Sequence, residues 1–93
     1  MEEYYIHKFK DFMQDQFGSD PQKAWDHYKN ADGVMGNAEI VQILRDAGIG
    51  GFIISPQFIA GQVLKELDTA NNGYVTLDEV QAYIAANLQP SNE

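Results

Sequence analysis

Apolar side chains recur along the chain at helical spacing, interrupted by polar runs rich in glycine, asparagine and aspartate. Tyr5, Phe9, Phe12, Met13 and Phe17 share one face, with Glu3, His7, Lys10, Asp11 and Gln14 opposite them, which predicts an amphipathic helix ending at Gly18. Asp20 followed by Pro21 is an N-cap and first-turn pair, and Ala24, Trp25 and Tyr28 give the second helix its apolar side. A third helix carries Ile40, Val41, Ile43 and Leu44 and is stopped by Gly48, Gly50 and Gly51. Phe52, Ile53 and Ile54 read as a buried linker, or as a short strand, ahead of a second cap pair, Ser55 and Pro56. Phe58, Ile59, Val63, Leu64 and Leu67 mark a fourth helix, and Val80, Tyr83 and Ile84 a fifth. The residues from Gln89 to Glu93 read as a frayed tail.

The pattern therefore predicts an all-α chain: one N-terminal helix over 1–18, then two helix-loop-helix units over 19–93, the first about 20–47 and the second about 56–88. The two units repeat each other. Laying Gly73 on Gly33 also lays Glu79 on Glu39, Asn72 on Asp32 and Val75 on Met35.

Composition narrows the possibilities. With 93 residues there is room for one small core, and 44% hydrophobic content is too high for a disordered segment. The chain has no cysteine, which removes disulfides, thiolate metal sites and cysteine nucleophiles together. Its start, MEEYYIHKFK, lacks the basic and then apolar order of a secretory leader, and no run approaches a membrane span, so a soluble and cytoplasmic protein is expected. A formal charge of -8 repels nucleic acid and anionic membrane surfaces and favours cations as partners. His7 and His27 lie on separate helices with no serine or carboxylate at a motif spacing, and no phosphate loop or metalloprotease motif is present. No enzyme is predicted.

The run DTANNGYVTLDE, from Asp68 to Glu79, joins the fourth and fifth helices. A calcium ion takes hard oxygens, and a twelve-residue loop between helices can present them from positions 1, 3, 5, 7, 9 and 12 if a glycine at position 6 permits the turn. Asp68 stands at 1, Asn72 at 5, Gly73 at 6, the carbonyl of Tyr74 at 7, Thr76 at 9 and Glu79 at 12. Helix capping alone would explain any one of these residues, but not all of them together. On these residues the sequence resembles the EF-hand family of calcium-binding proteins, over roughly Asp20 to Leu88. The resemblance implies Ca²⁺ as the bound ion, paired EF-hands and a short two-stranded β bridge near Met35 and Val75. Ala70 departs from the pattern: at position 3 the family usually has Asp or Asn.

The first loop departs further. In the same register Tyr28 takes position 1, Asn30 position 3, Asp32 position 5, Gly33 position 6, the carbonyl of Val34 position 7, Gly36 position 9 and Glu39 position 12. A longer register starts at Asp26 instead. A third possibility is a loop kept only to pair with its partner. The resemblance implies a calcium sensor or a calcium-stabilised interaction module. The alternatives are a purely structural scaffold and, because NADGVMGNAEIVQILRD resembles half of a dockerin module, a docking role in a larger assembly. In a paired EF-hand a partner's amphipathic helix can fill the groove. Here the N-terminal helix is expected to fill it instead, packing against Trp25, Ile43 and Phe58, with an edge position or a homodimer contact as the other options.

Overall fold

The computed structural model of the chain describes residues 2–51 and 54–87. Phe52 and Ile53 of the expected linker, Leu88 and the expected tail lie outside the described residues. Five α-helices follow one another: α1 Glu2–Phe17, α2 Pro21–Tyr28, α3 Asn37–Asp46, α4 Pro56–Leu67 and α5 Leu77–Asn87. The all-α expectation holds, and each helix falls where its apolar stripe predicted. No strand occurs among the described residues, and no described helix is long and apolar enough to cross a membrane.

The helix ends form for local reasons. Asp20 accepts from the Lys23 amide at 3.1 Å and Ser55 from the Phe58 amide at 3.2 Å, so each side chain satisfies an orphan donor ahead of a proline that needs none. At the end of α3 the chain turns through Gly48 at φ +73, and the Ile49 amide reaches back to the Leu44 carbonyl at 2.8 Å.

Packing makes one layered core. α3 lies most extensively on α4, while α1 packs on α2 and α5. The helices of one unit are thus shared with those of the other. Phe9, Met13 and Phe17 join Trp25, Ile43 and Tyr83 in a continuous buried cluster. Met35 and Val75, one from each loop, are fully buried and exchange backbone hydrogen bonds of 2.9 and 2.8 Å as a single antiparallel bridge. The radius of gyration, 12.5 Å, is near the ~12 Å of a compact domain of this length, so α1 is folded onto the rest.

Phe58 departs from expectation. It is 61% exposed and lines, with Tyr5, Phe9, Ile59, Val63 and Tyr83, an apolar cleft of about 310 Å³ beside α4. The buried side of α4 is Ile59, Ala60, Val63 and Leu67, and a residue one position before Ile59 is rotated about 100° away from that side.

Candidate metal centre

The second loop is built inward from Asp68, the residue that caps α4. Among the described residues it is the one charged side chain that the fold buries, at 9% exposure. Its Oδ1 accepts the Asn72 amide at 3.1 Å and its Oδ2 the Gly73 amide at 2.7 Å. These contacts require the chain to curl tightly around the carboxylate, which it does through Asn71 at φ +57 and Gly73 at φ +91. The position of Asp68 is electrostatically adverse: a helix C-terminus carries partial negative charge.

Glu79 closes the loop from the other end, in the favourable first turn of α5. Its Oε1 accepts the Thr76 amide at 3.0 Å while the Glu79 amide donates to Thr76 Oγ1 at 3.3 Å, a reciprocal capping box. Its Oε2 reaches across to the Ala70 amide at 3.0 Å and the Thr69 hydroxyl at 3.3 Å. One carboxylate thereby ties the beginning of the loop to its end. Asn72 Oδ1 accepts the Tyr74 amide at 3.4 Å.

The first loop repeats part of this design and omits its buried carboxylate. Glu39 Oε1 accepts the Gly36 amide at 2.7 Å and the Asn30 side-chain amide at 3.4 Å. Asn30 Oδ1 accepts from Asp32 at 2.8 Å and Val34 at 3.3 Å, and the Val34 carbonyl accepts the Asn30 amide at 2.8 Å. Asp32 is exposed, and Gly33 turns at φ +82. Asp26, the start of the longer register, accepts from Gln22 at 3.0 Å and pairs with Lys29 at 3.4 Å, contacts within and just beyond α2. The structure brings Asn30 and Glu39 together and keeps Asp26 occupied elsewhere.

Position 1 of the first loop holds a feature that sequence reasoning missed. Tyr28 is buried, its ring stacks on Phe17 at 6.2 Å between centroids, and its hydroxyl donates to Asp46 Oδ2 at 2.6 Å. Burial, with the Asp46 carboxylate beside it, holds the Tyr28 hydroxyl well above the ordinary tyrosine range. The same hydrogen bond lowers Asp46, an exposed carboxylate, from the usual carboxylate range. Burial also pushes Tyr83 up to about 12, helped by the charge of Glu66. Only the aromatic residue at a loop position that elsewhere carries Asp68 could have signalled that contact.

The donors of the second loop are all hard oxygens, namely the Asp68 and Glu79 carboxylates, the Asn72 amide, the Thr76 hydroxyl and the Tyr74 carbonyl, a chemistry suited to calcium. Two carboxylates are too few for the acidic cluster that dominates many metal sites, and no group of three or more His, Cys, Asp or Glu comes together to hold a metal among the described residues. Comparison of the chain with protein-family models, with curated proteins and with solved structures finds no match.

Proposed function

We propose that the protein binds calcium through the loop between α4 and α5, as a member of the EF-hand type with paired units, and acts as a calcium sensor or a calcium-stabilised interaction module. The observation that carries this reading is the burial of Asp68 at the negative end of α4, in a loop whose far end supplies Glu79. A buried carboxylate at a helix C-terminus is costly, and a cation beside it removes that cost. Asp68, Asn72, Thr76 and Glu79 would hold the ion by side-chain oxygens and Tyr74 by its carbonyl, about six oxygens counting both of Glu79, the lower end of what calcium takes. Bound calcium would supply charge neutralisation and a cross-link between the C-terminus of α4 and the N-terminus of α5. With no oxygen from Ala70, the dissociation constant falls on the order of 10⁻⁵ to 10⁻³ M.

A scaffold with loops that hold themselves is the second reading, favoured by the amides that already satisfy Asp68 and Glu79. One titration separates the two. Calcium chloride added to the full chain should shift the Gly73 amide resonance and leave Gly33 nearly in place. Calcium at about one hundredfold its dissociation constant should also stabilise the fold by about 2.7 kcal/mol. Unmoved resonances and an unchanged melting temperature at 10 mM, roughly tenfold above the weakest constant expected, would leave the scaffold.

A further inference from the structure

In the alignment that lays Gly73 on Gly33, Tyr28 falls on Asp68 and Asp46 falls on Ala86. The junction that the second unit builds around a buried carboxylate is built in the first around a buried phenol. Tyr28 ends α2 and Asp46 ends α3, so their 2.6 Å contact joins the last residues of the two helices that flank the first loop. Each partner is held by further contacts. The Tyr28 ring stacks on Phe17 of α1 and receives His27 edge-on at 4.7 Å, and Asp46 Oδ1 accepts Gln42 at 2.8 Å. Beside it, the Lys8 ammonium of α1 donates to the Gly48 carbonyl at 3.2 Å, just past the end of α3. Ala86 has no group to make the corresponding bond in the second unit.

We infer that the Tyr28–Asp46 contact is a brace that fixes the angle between α2 and α3 with no ion in their loop, so that the first unit is rigid and cation-driven rearrangement is confined to α4, its loop and α5. The first half stands on the geometry alone, and the second rests on the calcium reading. The brace assigns the first unit a mechanical role: it is the fixed frame against which the second unit moves, with α3 and α4 in contact as the hinge surface.

Amide hydrogen exchange on the full chain, in chelator and in excess calcium chloride, tests both halves. Without metal, Tyr28→Phe and Asp46→Ala should each speed exchange in the last turns of α2 and α3 by about tenfold, the size a hydrogen bond to a charged acceptor supports, and leave α4 unchanged. Tyr28→Phe keeps the buried ring and Asp46→Ala alters an exposed position, so both variants are expected to fold. The double variant should exchange no faster than either single one. Exchange like that of the parent chain, or effects that add in the double variant, would overturn the brace. Calcium that slows α2 and α3 as much as α4 and α5 would overturn the confinement. Calcium that moves no amide overturns the calcium reading and the confinement with it, while the brace is judged on the metal-free arm.

Discussion

In the loop after α2 the first position is Tyr28, whose ring belongs to the core and whose hydroxyl meets Asp46. In the loop after α4 the same position is Asp68, a buried charge ringed by the amides of Asn72 and Gly73. Both loops keep a left-handed glycine, a closing glutamate in the first turn of the next helix and a buried residue of the Met35–Val75 bridge. Shared backbone geometry therefore does not imply shared chemistry. The turn and the bridge are satisfied by hydrogen bonds in both loops, and at the first position the two differ in charge: a phenol in one, a buried carboxylate in the other.

Exchanging the first residues gives the largest effect on that comparison. Tyr28→Asp would give the first loop a carboxylate at its first position but would remove a buried ring, so it should destabilise the chain by about 3–5 kcal/mol in urea unfolding, the size of large aromatic truncations. A variant as stable as the parent would mean that Tyr28 carries no part of the core. Next in size is the pair Glu79→Gln and Glu39→Gln. The first should weaken calcium binding on the order of 100-fold by calorimetry, with magnesium affected less, and the second by less than about twofold. Equal losses would show that the two loops share the ion. A smaller gain is expected from Ala70→Asp, which adds the missing oxygen at position 3 and should tighten calcium by about tenfold. It should also compete with the Ala70 amide for the space near Glu79.

The smallest effect is on alkaline stability. Tyr28 and Tyr83 both have folded pKa values raised above the ordinary value of 10.0, so the folded state favours their protonated forms. Their contribution is fully present below pH 10 and is lost as the pH rises through the folded value, about 12 for Tyr83. Alkaline unfolding followed by circular dichroism should accordingly begin above pH 10 and start later in Tyr28→Phe, which has one fewer phenol to ionise. An unchanged onset would mean that Tyr28 does not contribute to the alkaline transition.

Much of this fold is legible in the sequence because its signals are local. Asp20-Pro21 and Ser55-Pro56 start helices through contacts three residues long, and the loop register follows from Gly33, Gly73 and the glutamates after them. The meeting of Tyr28 with Asp46 depends on how α2 and α3 cross, which no spacing rule encodes. Phe58 misleads for a related reason: it extends the apolar run of α4, but the buried face of that helix is Ile59, Ala60, Val63 and Leu67. Glu79 was legible as the residue that closes the loop, and its hold on Ala70 was not, because that contact spans the loop.

The packing of α1 has a consequence for synthesis. The Phe9 ring of α1 lies 6.0 Å from the Tyr83 ring of α5. At ribosomal rates of about 5–20 residues per second, α1 must wait on the order of 4–15 s for α5 to be made. During that interval Phe9, Met13 and Phe17 have no finished core to enter, and the nascent chain presents an aromatic stripe that a holdase or a neighbouring chain can seize. Slowing elongation between α1 and α5 would lengthen that exposure and should lower soluble yield without altering a single contact in the finished molecule.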